Sequence, residues 1–288
     1  MDRPTTRAID GAGRITLGDL EVNRMGYGAM RITGDGIWGP PADHDEAIRV
    51  LRRAVELGVD FIDTADSYGP AVSEELIVEA LHPYPNGLVI ATKAGLTRPG
   101  PGRWEPDGRP EHLRAACEDS LRRLRLEQIP LYQLHRIDPQ VPVDATIGEL
   151  VRLREEGKIR HIGLSEVSAD QLYEVRAMVD VVSVQNRFNL TDRRWTEVLE
   201  VCEADGLAFI PWAPIGGGDV GAAHDALDDI ARAHDTSHHA VALAWLLGRS
   251  PAMLPIPGTG SVAHLEDNVA AAALDLTDDE RARLDTLA

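Results

Sequence analysis

The chain is poor in several things, and each shortage excludes something. Two cysteines occur, Cys117 and Cys202, both within helix-like patterns among apolar neighbours. Two such thiols support no disulfide framework and read as buried and free. Basic residues are scarce beside acidic ones, 29 against 47, for a formal net charge of −18. Such acidity opposes nonspecific binding to nucleic acid or an anionic membrane and favours a solvated exterior. No long apolar run could cross a bilayer, and Met1 to Gly18 lacks an apolar signal segment, so a cytoplasmic location is expected. No Gly-rich dinucleotide fingerprint follows an early strand, which argues against a Rossmann module.

What is present is a regular alternation. Arg14–Leu17 and Leu20–Asn23 flank Gly18-Asp19 and read as a two-residue hairpin. Eight short apolar runs follow, each of the kind expected for strands buried on both faces: Met25–Met30, Val59–Asp63, Leu88–Thr92, Leu131–Leu134, His161–Ser165, Val181–Gln185, Ala208–Trp212 and Met253–Ile256. Between them run helical stripes. Ala47, Ile48, Leu51, Ala54 and Val55 end at Gly58, and Ile147, Leu150, Val151 and Leu153 precede Gly157 in the same manner. Leu113, Cys117, Leu121 and Leu124 make another stripe, with further helices expected around 172–178, 195–202, 227–233 and 241–247. No composition break divides these units. The pattern predicts a single α/β domain over residues 1–288, a (β/α)8 barrel with an N-terminal β-hairpin.

In such barrels the active site lies at the C-terminal ends of the strands. Asp63 stands there, with Tyr68 five residues later. Lys93 follows the third run and His135 the fourth. Taken alone, a strand-end Asp is usually a turn or cap residue. Together the four form a set suited to protonating a carbonyl oxygen. A phenol with a pKa of about 10 is a poor acid at neutral pH, and a nearby ammonium favours the phenolate and so lowers that value. A carboxylate beside the lysine keeps it charged and fixed, and a neutral imidazole can orient the substrate oxygen.

The stretch Gly58–Gly69, with Lys93 and His135, resembles the catalytic tetrad of the aldo-keto reductases. The resemblance continues through Gly163–Glu166, Ser183–Asn186, Pro211–Pro214, Pro255–Thr259 and Leu265–Asn268, in family order, and covers the chain from about Leu17 to its C-terminus. It implies an eight-stranded α/β barrel that reduces carbonyls with NADPH, or with NADH as the alternative, with Tyr68 as general acid and no metal. The cofactor would lie across the barrel mouth. Ser165, Glu166 and Gln185 match positions that hydrogen-bond the nicotinamide carboxamide, although many relatives carry Asn where this chain has Glu166. Trp212 matches a ring stacked on the nicotinamide, with Pro214 beside it. Gly216 and Gly217 open a loop suited to closing over the pyrophosphate. Ile256, Gly258, Thr259, Ser261, His264, Asp267 and Asn268 fall where the family holds the adenosine end.

Two departures bear on the cofactor. Relatives place Lys where Gly258 stands and Arg where His264 stands, both gripping the 2′-phosphate. Here that grip is expected from Thr259, Ser261, a helix N-terminus and a protonated His264. Trp38 and Trp104 fall in loops at the mouth and indicate an apolar, partly aromatic pocket. Gly26–Arg31, Ile37–Pro41 and Ala242–Leu247 are similar to a bacterial subgroup that includes pyridoxal reductases, which implies an aromatic aldehyde. Partners are expected to be small carbonyl compounds, not nucleic acid, membrane or an obligate protein. A different class, a cofactor-sensing regulatory protein of the same fold, shares most of these features but not the need for an intact tetrad. A metal-dependent barrel hydrolase fits poorly, since Lys93 stands between the two groups, Asp63 and His135, that could serve as ligands.

Overall fold

The structure, a computed structural model, describes residues 7–216 and 224–287. Strands β1 (Arg14–Leu17) and β2 (Leu20–Asn23) pair antiparallel around Gly18, whose φ of 66° suits glycine. A Cβ at Gly18 would also meet the His161 ring at 2.2 Å, so the hairpin is pressed against the strands above it. The strands that follow are β3 (Tyr27–Gly28), β4 (Phe61–Asp63), β5 (Val89–Ala94), a hairpin of β6 (Leu96–Gly100) and β7 (Arg103–Pro106), then β8 (Ile129–Leu134), β9 (Ile159–Ser165), β10 (Ser183–Gln185) and β11 (Ala208–Phe209). Seven of them form one parallel sheet in the order β11-β10-β9-β8-β5-β4-β3.

The expected eighth strand, Met253–Ile256, is an extended segment with a single bridge to Phe209 rather than a full strand. Pro255 and Pro257 have no N–H to continue a ladder. The segment nonetheless meets both sheet edges. Leu254 N–H donates to Phe209 O at 2.9 Å, and Gly26 N–H donates to Pro255 O at 2.9 Å. This arrangement fits a (β/α)8 barrel.

Helices α1 (His44–Glu56), α2 (Val72–Leu81), α3 (Pro110–Leu124), α4 (Val143–Glu155), α5 (Ala169–Arg176), α6 (Thr196–Asp205), α7 (His224–Ala233), α8 (His238–Arg249), α9 (Val262–Ala270) and α10 (Asp278–Asp285) alternate with the strands or follow them. None of the described helices is long and apolar enough to cross a membrane. Local chemistry sets their ends. Asp43 accepts from Glu46 N–H to start α1, and Gly58, at φ 98°, lies just beyond its end. Three helices add to those read from the apolar pattern: α2, α10 and α9, the last implied by the family resemblance. In α2 the buried Ser73 and Glu74 interrupt the stripe, because both are used as hydrogen-bonding groups. Helix α10 buries Leu284 alone and is defined instead by a Thr277/Glu280 capping box.

Two apolar layers result. The larger fills the space between sheet and helices. The smaller lies inside the curled sheet, where Phe61, Val89, Ala91, Leu131, Ala208, Ile210, Leu254 and Ile256 meet Leu17 and Val22 of the N-terminal hairpin. That hairpin therefore closes the end of the sheet opposite the strand C-termini.

Within the larger layer, Glu74 of α2 is fully buried. One carboxylate oxygen accepts from the Thr92 hydroxyl at 2.6 Å and the other from Arg123 Nε at 2.7 Å. Removing one partner of a buried pair leaves an uncompensated charge, which costs about 3 kcal/mol or more. Arg123→Met is expected to lower the urea-unfolding free energy by about that amount. A loss below about 1 kcal/mol would show that the pair is not needed to hold α2 on the sheet.

Candidate active site

Side chains alternate in direction along a strand, so the inward set can be followed upward from the interior apolar layer. Two residues beyond Phe61 comes Asp63, two beyond Ala91 comes Lys93, and two beyond Ile210 comes Trp212. The same count takes Leu131 to Gln133 and then to His135. The apolar plug thus ends where a polar layer begins. Gly163 makes room for that layer, since a Cβ there would meet Ser183 Oγ at 2.5 Å and Gln133 Cγ at 2.9 Å.

At the centre is Lys93, with no exposed surface. Its ammonium donates to Asp63 Oδ1 at 2.5 Å, Thr64 O at 2.8 Å and the Tyr68 hydroxyl at 3.3 Å, which uses its three protons. Asp63 Oδ2 accepts from Gln133 Nε2 at 2.9 Å and Gln185 Nε2 at 2.8 Å. His135 stands against Tyr68 with ring centroids 5.9 Å apart, and its Nδ1 lies 3.3 Å from Ser67 Oγ. The four residues read from the sequence as one catalytic set are in one place.

The electrostatics depart from expectation at one point. A lowered phenol pKa is expected from the ammonium, yet the Tyr68 pKa is raised. Burial outweighs the pull of Lys93, and the Asp63 carboxylate adds to the rise. Burial also penalises the Lys93 charge, but Asp63 and then Tyr68 more than compensate and hold the amine above its ordinary value. His135 falls well below the ordinary imidazole value, through burial first and then Lys93, Arg136 and Arg98. It is neutral at physiological pH, as expected.

These groups open onto a cavity of about 940 Å³. Asp63, Tyr68, His135, Ser165, Gln185, Trp212, Pro214, Ile256, Gly258, Thr259 and Trp104 all reach its wall. Other expected residues do not. Ile37, not Trp38, forms the wall from the first loop, while Trp38 bridges to Gly69. Glu166 has φ 54° and turns its carboxylate to Trp212 Nε1 and Arg187 N–H, each at 2.6 Å from Oε1. Gly216 lies beside the wall residue Ile215, and Gly217 falls outside the described residues. Ser261 precedes α9, which carries His264, Asp267 and Asn268, and none of these lines the cavity. His264 is exposed, Asn268 is buried, and Asp267 accepts from the Ser237 hydroxyl.

Two groups of the expected anion grip at the start of α9 already have partners. Glu46 Oε1 accepts from Val262 N–H at 2.9 Å, and Thr259 Oγ1 accepts from Ser261 N–H at 3.1 Å. A side chain at position 258 is excluded too, since a Cβ there would lie 2.6 Å from Gly28 O. Arg31 runs alongside, its Cγ 3.5 Å from that point, and it lines the cavity with no hydrogen-bond or ion-pair partner among the described residues.

Several residues that matter here were not singled out in the sequence. Gln133 fixes Asp63, and its signal was a polar side chain inside an otherwise apolar strand, in step with His135. Arg136 lines the cavity while donating to His135 O at 2.5 Å and Ser165 Oγ at 3.1 Å. Ser67 and Arg98 came to notice through contacts distant in sequence. Trp104 sits on the β6–β7 hairpin, in a stretch expected to be a loop because Pro99-Gly100-Pro101-Gly102 reads as a breaker. Those residues make an irregular hairpin turn instead. Among the described residues no group of His, Cys, Asp and Glu is placed to hold a metal ion.

Known proteins share this architecture. The family described as the aldo/keto reductase family matches residues 24–288. An uncharacterised oxidoreductase of Schizosaccharomyces pombe is 53% identical, covering 95% of this chain and 89% of its own length. Pyridoxine 4-dehydrogenase of Escherichia coli is 41% identical, with coverages of 94% and 96%. Among solved structures, the glycerol dehydrogenase of Gluconobacter oxydans superposes with a TM-score of 0.87 at 28% identity, over 96% of this chain and 95% of its own. An aldo-keto reductase from Klebsiella pneumoniae in complex with NADPH superposes with a TM-score of 0.80 at 25% identity, over 95% and 94%. With a lysine bonded to both a carboxylate and a phenol, a histidine at the same cavity, and matches across nearly its whole length, the chain belongs to the aldo/keto reductase family of NAD(P)H-dependent oxidoreductases.

Proposed function

We propose that this protein reduces an aldehyde or ketone to an alcohol with NADPH, Tyr68 serving as the proton donor. The observation that carries the reading is Lys93, its ammonium held between the Asp63 carboxylate and the Tyr68 hydroxyl, the two groups that line the cavity in front of it.

The cavity suits such a cofactor. Its size is at the upper end of the roughly 300–1,000 Å³ common for ligand sites. Trp212 offers a flat face, its indole N–H tied to Glu166. Gln185 spends its NH2 on Asp63, which leaves its carbonyl oxygen as an acceptor for a carboxamide NH2, and Ser165 adds a hydroxyl. Arg31 supplies an uncommitted cation beside Gly258 and Gly260 for a phosphate. NADPH, when bound, contributes the hydride that reaches the carbonyl carbon.

The protein's own groups handle the oxygen. With Ser67 donating to His135 Nδ1, Nε2 carries the ring proton and donates to the carbonyl oxygen. That oxygen then takes the Tyr68 proton. The raised pKa keeps Tyr68 protonated and ready throughout the physiological range. Lys93 acts as the proton leaves, because an ammonium 3.3 Å from a growing phenolate is worth on the order of 5 kcal/mol at an effective dielectric of about 20, before the opposing Asp63 charge is counted. An interaction that strengthens only as charge develops raises kcat rather than binding.

For the substrate, an aromatic or apolar carbonyl such as a pyridoxal-like aldehyde fits best. Met30, Ile37, Leu96, Trp104 and Pro106 make an apolar and partly aromatic wall, and pyridoxine 4-dehydrogenase is a 41% identical relative.

Tyr68→Phe is expected to lower kcat by roughly 100-fold or more with the NADPH Kd nearly unchanged, and a normal kcat would remove Tyr68 from the mechanism. Because His135 is held neutral by burial and nearby cations, kcat/KM should show no ionisation near the ordinary histidine value of about 6.5. An acid limb there that disappears in His135→Asn would contradict this. Steady-state comparison of NADPH and NADH should favour NADPH, and Arg31→Ala should weaken NADPH binding in a fluorescence titration. Unaltered NADPH affinity would leave the phosphate without its assigned cation.

A further inference from the structure

Arg98 is half-buried on β6, behind the wall of the cavity, and its guanidinium makes four hydrogen bonds. It lies 3.6 Å from the centroid of the Trp104 ring and 5.6 Å from that of Trp38. Nη1 donates to Ile37 O at 2.9 Å and Ser67 O at 2.8 Å, Nη2 to Gly36 O at 3.0 Å, and Nε to Arg103 O at 2.9 Å. Four carbonyls on three separate segments therefore converge on one side chain. No carboxylate pairs with it among the described residues, so its task here is to join loops, not to balance a charge.

What it joins are the parts that touch the reacting groups. Trp104 stands edge-on to Tyr68, with centroids 6.2 Å apart and planes at 83°, and edge-on to His135 at 6.2 Å and 67°. Ser67, whose carbonyl Arg98 holds, is the residue whose hydroxyl meets His135 Nδ1. Ile37, whose carbonyl it also holds, lines the cavity. A lysine could not replace it, because a compact ammonium has neither the planar face that stacks on indole nor the fork that reaches four acceptors.

We propose that Arg98 is a positioning residue of the carbonyl pocket, fixing Trp104 against Tyr68 and His135 so that the pocket favours planar substrates. This rests on the carbonyl-reductase reading above and extends it to substrate choice. The step itself is unchanged, and Arg98 touches no reacting atom.

The test uses Arg98→Ala, Arg98→Lys, Trp104→Ala and the Arg98→Ala/Trp104→Ala double variant. Benzaldehyde serves as the planar probe and propanal as the small one, with NADPH Kd taken from protein fluorescence and folding checked by thermal midpoint. Arg98→Ala should raise KM for benzaldehyde about tenfold, with propanal KM and NADPH Kd within about twofold of wild type. Arg98→Lys should resemble Arg98→Ala, and this variant carries the test if the alanine protein folds poorly. In the Trp104→Ala background, loss of Arg98 should change benzaldehyde KM by much less than the single variant does, since the proposed preference for planar substrates runs through that ring. Equal effects on the two aldehydes, full rescue by Arg98→Lys, or additive effects in the double variant would each overturn the proposal. A wild-type protein that oxidises NADPH with neither aldehyde overturns the carbonyl-reductase reading and this inference with it. An active wild type with an unaltered Arg98→Ala overturns this inference alone.

Discussion

An ammonium with no exposed surface must be paired, and in this protein the whole rim is arranged around that requirement. Lys93 cannot be solvated, so each of its protons has a fixed acceptor: a carboxylate, a backbone carbonyl and a phenol. The carboxylate in turn cannot be left half-bonded, and Gln133 and Gln185 complete it. These four side chains come from β4, β5, β8 and β10, so the ion pair is also a cross-link across the parallel sheet. A well-packed apolar substitute of similar volume is often as stable as a buried pair. Retaining charge at this depth is therefore better understood through chemistry than through stability.

The proposed chemistry depends on a difference between two states, not on a resting value. The neighbourhood of Tyr68 raises the pKa of the phenol, because burial acts on the charged form and Asp63 cancels part of what Lys93 offers. An enzyme acid needs its proton before the reaction and a stable conjugate base after it. The low dielectric secures the first by disfavouring phenolate in the resting protein. In the proposed mechanism Lys93, at 3.3 Å, would secure the second when electron density arrives on the phenol oxygen. His135, neutral for the same reason of burial, can donate a hydrogen bond without repelling Lys93.

Much of this was legible in the sequence because strand alternation is strict. Once the run around Phe61 is recognised as buried on both faces, Asp63 must face the same way as Phe61, and likewise Lys93 with Ala91. The alternating elements were legible from short apolar runs separated by helical stripes, and the N-terminal hairpin from Gly18-Asp19 between two such runs. Contacts that depend on distant loops were not. Nothing local says that Arg98 reaches Gly36, Ile37 and Ser67, or that Glu46 closes the start of α9. Helix α2 escaped notice because Glu74 and Ser73 are buried for their hydrogen bonds, which breaks an apolar stripe. Sequence shows the neighbouring charge that pulls the Tyr68 pKa down but not the burial that outweighs it.

The placement of positive charge follows from the overall balance. A chain with a net charge of −18 repels an anionic cofactor at long range, so local cations must offset that field within the cavity. Three guanidinium groups line it, but two are committed. Arg136 is bonded to His135 O and Ser165 Oγ, and Arg187 lies 3.2 Å from Asp192 and over the Trp212 ring. Position 258 cannot supply a third, because Gly28 O occupies the space that a Cβ would need. At the start of α9 the first N–H is satisfied by Glu46, which Arg49 balances. Arg31 remains, close to the point where a side chain from position 258 would begin. The close approach of β3 to the 258 segment that excludes a side chain there also brings this arginine alongside.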